Sequence, residues 1–294
     1  MSDSNKFAIL ISFFSLWITM YFSFRHQQLI GFVVIFLFGI LHGANDLALF
    51  QKINENKSSP SPNKLLLYYV GIVLFGAVLF YYLPIFALLL FILFSSYHFG
   101  EQHWNKLEIA KKNKWLILFQ TIYGMFIFFL LFSFHDEEVK KIIFQISNVS
   151  IAMLNFTLLT LIVGLILILL GFKMNIIFIQ FKSEVVLNLF YLLVFAIIFK
   201  QADLIWAFAI YFVVWHSFPS IKEQIYFLYG DFSLKNFSRY FKSAFIYWII
   251  SLFGISILFI IFNEHEIFNA LFFSFLAAVT FPHTLVIIKM KKMQ

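Results

Sequence analysis

The amino-acid sequence predicts an all-α, polytopic membrane protein with about ten transmembrane helices. Hydrophobic residues make up 62% of the 294-residue chain and charged residues only 12%, whereas a soluble domain carries roughly 25% charged residues. The apolar residues are gathered in runs of about 20, the length at which an α-helix crosses the hydrocarbon core of a bilayer. Ten such runs use nearly the whole chain, so we expect one integral membrane domain over residues 1–294.

Each predicted span is an apolar run bounded by polar or helix-breaking residues. The first run is longer than a signal-peptide core and no small-residue cleavage site follows it, so we expect it to remain as a membrane anchor. The polar loop 51–64 contains two prolines, which end helices, and Pro84 begins the fourth run directly after the third. The stretch 220–242 is the longest connection and has room for a short interfacial helix. The predicted spans are 7–24, 29–50, 65–82, 84–100, 115–134, 151–172, 184–199, 202–218, 243–262 and 267–289.

The basic residues predict the orientation of these spans. With ten spans, 17 of the 21 Lys and Arg residues fall on the side of the two termini and 4 on the other side. Because basic loops stay in the cytoplasm, we expect both termini to be cytoplasmic in a multi-pass protein of the inner (plasma) membrane. The net charge of +7 therefore indicates contact with the anionic lipids of the bilayer and not with nucleic acid.

Four of the eight histidines lie inside predicted spans, at a similar depth. His42, His98, His216 and His283 fall in spans two, four, eight and ten, which all run toward the cytoplasm, and each lies within about two turns of the cytoplasmic end. Ionisable groups in a bilayer are costly and usually functional. Four imidazoles at one depth could bind one metal ion, and imidazole suits Fe, Zn, Cu or Ni. The alternative is that each histidine makes an interhelical hydrogen bond.

Two carboxylates lie close to these histidines in the sequence. Asp46 follows His42 by four residues, so on one helix the two would share a face. Asp46 could then accept the proton of the imidazole nitrogen that does not bind the metal. Glu101, three residues after His98, is a candidate for the same role. The alternative for both is a solvated position at the interface or an ion pair with a loop lysine.

Aromatic side chains beside the histidines are candidates for the wall of a substrate tunnel. The chain has 45 phenylalanines, and most of them can be explained as lipid-facing residues. Those next to a histidine could instead bind a long apolar substrate, since apolar and aromatic walls suit such ligands. These candidates are Phe99, Trp104, Trp215, Phe218 and Phe281.

Several other chemistries find no support in the sequence. It contains no GxSxG motif, no glycine-rich phosphate loop and no cysteine. No histidine lies four residues from another, so the histidine boxes of membrane di-iron enzymes are missing. Two other classes stay open: a transporter or channel with a histidine-lined polar pathway, and a b-type haem or quinone protein with paired histidine ligands.

The motifs around the four histidines resemble those of a known family. HGAND, YHFGEQ, WHS and PHTL, in this order and with comparable spacing, resemble the Brp/Blh (bacteriorhodopsin-related protein-like) β-carotene 15,15′-dioxygenases of bacteria and archaea. The resemblance implies cleavage of the central double bond of β-carotene by O₂ into two retinal molecules. It also implies a non-haem Fe²⁺ cofactor, entry of the polyene from the bilayer, and a microbial rhodopsin as the consumer of the product.

The resemblance also implies which residues bind the iron. His42, His98 and His216 match the family's histidines directly. Family members carry a further histidine one turn after the position of His216, where this chain has Ser220. Three possibilities follow: His283 supplies the fourth imidazole, Ser220 or water completes the shell, or the iron site is altered.

Overall fold

A computed structural model describes residues 3–55, 61–107, 113–261 and 265–293. The predicted loop residues 56–60 and 108–112 and the predicted turn at 263–264 lie outside this part of the chain. Within it, every regular element is helical, which confirms the predicted all-α class. The α-helices are α1 (Asp3–Thr19), α2 (Phe24–Val34), α3 (Asp46–Ile53), α4 (Pro62–Tyr82), α5 (Pro84–His103), α6 (Lys114–Phe134), α7 (Asp136–Ser147), α8 (Phe156–Ile177), α9 (Phe181–Gln201), α10 (Leu204–Ala209), α11 (Phe218–Tyr229), α12 (Leu234–Ile261) and α13 (His265–Lys291).

Nine helical segments of the described chain are long and apolar enough to cross a membrane, which confirms a polytopic protein. The first predicted run corresponds to α1, a 17-residue helix that is shorter than the nine. The orientation of the termini stays a prediction. The nine segments are Phe24–Ile53, Lys64–Tyr82, Pro84–His103, Lys114–Phe134, Phe156–Ile177, Phe181–Gln201, Leu204–Tyr229, Leu234–Ile261 and Ala270–Lys291.

Irregular helical turns interrupt two of the spans that the sequence predicts as continuous. After α2, a π-helical turn at Ile35–Gly39 and a 3₁₀ turn at Ile40–His42 precede α3. After α10, the chain is π-helical over Ile210–Ser217 before α11 begins. A π turn accommodates an extra residue and is frequent at functional sites. Both irregular segments carry a histidine that the sequence singles out.

Two connections differ from the sequence prediction. The expected long connection at 220–242 is short, because α11 continues to Tyr229 and α12 begins at Leu234. Gly230 ends α11 with a φ of 88°, a left-handed conformation that glycine adopts without strain. Helix α7 is not among the predicted elements, because its charged first turn hides it from a search for apolar runs. Its three acidic residues there suit the positive end of a helix dipole.

The described helices divide into two compact units. The first unit comprises Met1–Phe32, Ile92–Lys141 and Ile151–His216, and the second comprises Val33–Phe91, Ile142–Ser150 and Ser217–Gln294. The sequence prediction of a single membrane domain stays a prediction.

In the first unit, α5 and α6 pack backbone against backbone. A Cβ atom on Gly100 would overlap the carbonyl oxygen of Gln120, and one on Gly124 would overlap the carbonyl oxygen of Ser96. The glycines therefore allow a close approach that larger residues would prevent. His98 lies between Ser96 and Gly100 on α5, so this contact fixes the height and rotation of that histidine.

In the second unit, buried hydrogen bonds hold the irregular segment that carries His42. Asn45 donates from Nδ2 to the backbone oxygen of Tyr240 at 2.8 Å. The hydroxyl of Tyr240 donates to Gln224 Oε1 at 2.7 Å. Leu41 packs against residues of α11 and α12. These contacts give a segment without regular α-helical hydrogen bonds a defined conformation.

Candidate metal centre

Each unit brings two of the four predicted histidines together. In the first unit, the ring centroids of His98 and His216 are 4.6 Å apart and the rings meet edge to face. In the second unit, His42 and His283 have the same separation and the same arrangement. All four side chains are at most 5% exposed. The sequence placed these residues on four different spans, and the structure pairs them within each unit.

In the second unit, the Nδ1 atoms of both histidines face acceptors. His42 Nδ1 donates to the carbonyl oxygen of Gly39, one turn earlier. His283 Nδ1 lies 2.8 Å from Asp46 Oδ1. A carbonyl or carboxylate oxygen accepts a hydrogen bond and cannot donate one, so Nδ1 carries the proton in both rings. The lone pair of each neutral imidazole is therefore on Nε2.

In the first unit, His216 is held by Gln102 of α5. The side chain of Gln102 donates from Nε2 to the backbone oxygen of His216 at 3.0 Å, and its Oε1 lies 2.5 Å from His216 Nδ1. His98 is one turn before Gln102 on the same helix. His42, His216 and His283 are thus buried imidazoles that could hold a metal ion, each with its Nδ1 engaged by the protein.

The structure corrects the predicted partner of Asp46. The spacing of four residues predicted that Asp46 accepts the proton of His42, but the 3₁₀ turn ends at His42 and α3 begins only at Asp46. The two residues therefore do not share a face of one helix. Asp46 binds His283 instead and also accepts a hydrogen bond from the hydroxyl of Tyr69 at 3.0 Å.

The second predicted carboxylate, Glu101, is also buried. It is 3% exposed and accepts a hydrogen bond from the hydroxyl of Tyr97 at 3.2 Å. Both residues lie on α5, one turn apart. The position beside His98 agrees with the sequence, while a role of Glu101 in supporting that histidine stays a prediction.

The predicted aromatic residues fall in different surroundings. The ring of Phe99 lies 4.6 Å from that of His216 and 6.2 Å from that of His98, so Phe99 packs directly on the histidine pair. Trp104 stacks on Phe181 and lines an apolar cavity of about 300 Å³ in the first unit. Phe99 thus contacts both histidines of the first unit, whereas none of the four histidines lines the cavity beside Trp104. A role of either residue in binding substrate stays a prediction.

The other three candidates are placed by contacts with residues other than the four histidines. Trp215 donates its indole N–H to Ser12 Oγ at 2.8 Å, which is a core contact. Phe218 is 41% exposed and packs against Phe38. A Cβ atom on Gly76 would lie 3.3 Å from the ring of Phe281, which marks a contact between α13 and α4. A role of these three in binding substrate stays a prediction.

Two glutamines that are not among the predicted site residues support the histidines. Gln102 binds the side chain and the backbone of His216, as described above. Gln224 donates to the backbone oxygen of His42 at 3.0 Å and to Ser220 Oγ at 3.0 Å. The available signal was the position of Gln102 within the YHFGEQ motif, where it follows His98 by four residues.

The chain matches a known protein family over most of its length. A family model described as β-carotene 15,15′-dioxygenase matches residues 33–291, a range that contains all four histidines and both glutamines. No curated protein and no solved structure matches the chain. The family match confirms the resemblance that the four motifs indicate.

Proposed function

The chain belongs to the β-carotene 15,15′-dioxygenase family, and on this premise we propose that it cleaves β-carotene with O₂ at the central double bond. One C40 hydrocarbon and one O₂ give two C20 aldehydes, so each oxygen atom ends in one molecule of retinal and no external reductant is needed. The observation that carries the proposal is the set of buried imidazoles whose Nδ1 protons are bound by the protein, which puts the lone pair on Nε2.

We propose Fe²⁺ as the cofactor, because the residues present suit it. Neutral imidazole nitrogens are common ligands of non-haem iron, and the chain has no cysteine that would favour a thiolate site. When bound, Fe²⁺ would supply the binding and activation of O₂. The proposed ligands are His42, His98, His216 and His283.

Among the possibilities for the fourth ligand, the contacts favour His283. It packs against His42 and binds Asp46 through Nδ1, the arrangement expected of a metal-binding histidine with a carboxylate partner. Ser220 Oγ, the alternative, accepts a hydrogen bond from Gln224. A hydroxyl held in this way is part of the support for the His42 backbone.

The remaining residues of the site would orient the substrate and exclude water. Phe99 covers the histidine pair of the first unit with an aromatic ring, a surface on which a polyene can pack. Asp46 keeps the Nδ1 proton of His283 in place. Since β-carotene dissolves in the bilayer, we propose that it enters the site laterally from the lipid, between apolar side chains.

The membrane setting completes the proposal. The distribution of basic residues favours cytoplasmic termini in an inner (plasma) membrane, with the histidines toward the cytoplasmic side. Retinal released there is available to a microbial rhodopsin, the consumer that family membership suggests.

Expression in cells that accumulate β-carotene tests this function. We expect loss of β-carotene with formation of two molecules of retinal per molecule cleaved, and ¹⁸O from ¹⁸O₂ in both aldehydes. The purified protein should contain iron. A wild-type protein that inserts into the membrane, contains no iron and leaves β-carotene intact would contradict the proposal and favour the transporter alternative. Haem absorption bands in the purified protein would instead favour the haem alternative.

A further inference from the structure

We propose that Gln102 is a positioning residue that sets the tautomer of His216 and so makes Nε2 the metal-binding nitrogen of that ring. The role deepens the proposed function and rests on it for its consequence in metal binding. It concerns a hydrogen-bond pattern within the first unit and can be examined in metal-free protein.

The side chain of Gln102 forms hydrogen bonds with His216 at two points. Its Nε2 lies 3.0 Å from the backbone oxygen of His216, and its Oε1 lies 2.5 Å from His216 Nδ1. A carbonyl oxygen can only accept a hydrogen bond, so the group of the amide that faces it must be the NH₂ group. The orientation of the amide is therefore decided by the backbone of His216.

The proton on the imidazole follows from that orientation. Once the NH₂ group faces the backbone, Oε1 faces Nδ1, and an amide oxygen can only accept. Nδ1 must then carry the proton, which leaves the lone pair of the neutral ring on Nε2. Two hydrogen bonds to one residue thus fix both the rotation of the ring and the nitrogen that can bind a metal ion.

His216 lies in a π-helical segment. Over Ile210–Ser217 the backbone does not follow the regular α-helical pattern. Gln102 supplies a partner for its carbonyl group from a different helix. Because Gln102 follows His98 by four residues on α5, one helix face carries both a proposed ligand and the residue that orients another.

Gln224 of the second unit is the natural control for this role. It also donates to the backbone oxygen of a histidine, His42, at 3.0 Å. Its Oε1, however, accepts from the hydroxyl of Tyr240 at 2.7 Å, and His42 Nδ1 donates to Gly39. Gln224 therefore supports the backbone of a histidine without contacting the imidazole, whereas Gln102 does both.

The test reads the tautomer of His216 directly. Metal-free protein labelled with ¹⁵N-histidine would be studied by NMR at a pH where imidazole is neutral, with a His216→Gln variant to assign the signals. We expect wild-type His216 to carry its proton on Nδ1. Gln102→Leu, which has a similar size and no polar group, should shift the population toward the Nε2–H form. Gln102→Glu, which keeps an acceptor for Nδ1, should retain the Nδ1–H form, and Gln224→Leu should leave the tautomer of His216 unchanged.

Metal binding provides the second readout. Co²⁺ added to the purified protein should bind about 10- to 100-fold more weakly to Gln102→Leu than to the wild type, the range typical of lost support for a ligand. Gln102→Glu should recover part of this loss, because it keeps the acceptor for Nδ1 but cannot donate to the backbone oxygen of His216. An Nε2–H tautomer in the wild type, or an Nδ1–H tautomer that persists in Gln102→Leu, would overturn the proposal. If Gln102→Leu fails to accumulate, the wild-type spectrum can still overturn the proposal, and Gln102→Glu tests whether the tautomer follows the residue at position 102.

The outcomes separate this role from the proposed function. If the tautomer depends on Gln102 but the protein neither binds iron nor cleaves β-carotene, the function is wrong and the positioning role is right. If the protein is an active iron enzyme and the tautomer does not depend on Gln102, the positioning role alone is wrong.

Discussion

The imidazole of His283 and the carboxylate of Asp46, 237 positions apart in the sequence, are joined by a hydrogen bond of 2.8 Å between Nδ1 and Oδ1. Both side chains are buried, with at most 3% exposure. The bond connects α13 to the start of α3 within the second unit. A carboxylate in this position fixes the tautomer and the orientation of the imidazole, which favours His283 as a candidate ligand.

Replacing Asp46 by asparagine should weaken metal binding without removing it. The asparagine side chain would keep an oxygen near His283 but would lose the negative charge, so iron content and retinal formation should fall by about 10- to 100-fold. Tyr69→Phe removes the other hydrogen bond to Asp46 and should have a smaller effect. Metal analysis of purified protein and the rate of retinal formation measure both. An Asp46→Asn variant with full iron content would contradict a supporting role.

Removing any proposed ligand should abolish the reaction. We expect His42→Ala, His98→Ala, His216→Ala and His283→Ala each to stop retinal formation in carotene-producing cells, because every one removes a buried imidazole from the proposed shell. Bound iron should fall while the protein still accumulates in the membrane. His26→Ala is the matched control, since His26 is an exposed histidine whose ring contacts Ser23. Retained activity in one of the four variants would remove that residue from the site.

Substituting a larger residue for a glycine at the contact between α5 and α6 should destabilise the protein. Gly100→Ala places a Cβ atom on the carbonyl oxygen of Gln120, so the two helices must separate. We expect a loss of stability of about 1–3 kcal/mol, the usual cost of overpacking, and reduced iron content because His98 moves with α5. Gly71→Ala is the control, since a Cβ atom there meets nothing within 4 Å. Thermal unfolding in detergent measures the difference, and equal midpoints for the two variants would contradict the close approach.

The stability of the first unit should depend on pH through Glu138 of α7. Burial raises the pKa of Glu138 from 4.5 to about 7, the Asp203 carboxylate acts in the same direction, and Lys141 opposes it. The folded protein then holds the proton more tightly than the unfolded chain. The stability from this group is fully present below about pH 4.5 and is lost as the pH rises to about 7.

Glu138→Gln should remove this loss, so the variant should be more stable than the wild type above pH 7 and differ less from it at pH 5. The control is Glu137→Gln, a change at an exposed neighbour. Unfolding midpoints between pH 5 and pH 8 measure the effect. Parallel pH profiles for wild type and Glu138→Gln would show that burial of Glu138 does not control stability.

The predicted orientation can be read with reporter fusions. Fusions after Lys64, Lys114 and Gln294 should report the cytoplasm, because the basic residues cluster on that side. A fusion after Glu138 should report the opposite side. A signal from outside the cytoplasm at any of the first three positions would show that the number of spans is wrong.

The sequence alone predicts the features that the bilayer imposes, namely the apolar spans and the rare ionisable residues within them. Spans follow from runs of apolar residues, and His42, His98, His216 and His283 stand out because an ionisable group is rare within them. The partner of Asp46 could not be predicted, because the rule of four residues assumes an unbroken α-helix. The turns at 35–42 are apolar on all sides up to the histidine, so hydropathy gives no sign that the helix is interrupted.

The role of the glutamines was hidden for a different reason. Gln102 and Gln224 carry no charge, and they donate to the backbone oxygens of His216 and His42, which lie where the backbone departs from the α-helix. Neither the periodicity of apolar residues nor the charge pattern of the sequence indicates where the backbone departs from the α-helix. Long-range hydrogen bonds of this kind emerge only when the helices are placed in three dimensions.

In the π-helical segment Ile210–Ser217, the number of residues before His216 determines the direction in which its side chain points. Each residue of an α-helix turns the chain by about 100°, so deleting one residue between Ile210 and Val214 would let the segment become regular and would swing His216 by a comparable angle. Such a deletion would preserve every motif and the hydropathy of the span, yet it would turn the imidazole away from Gln102. A one-residue gap in this segment thus matters more for the site than most substitutions along it.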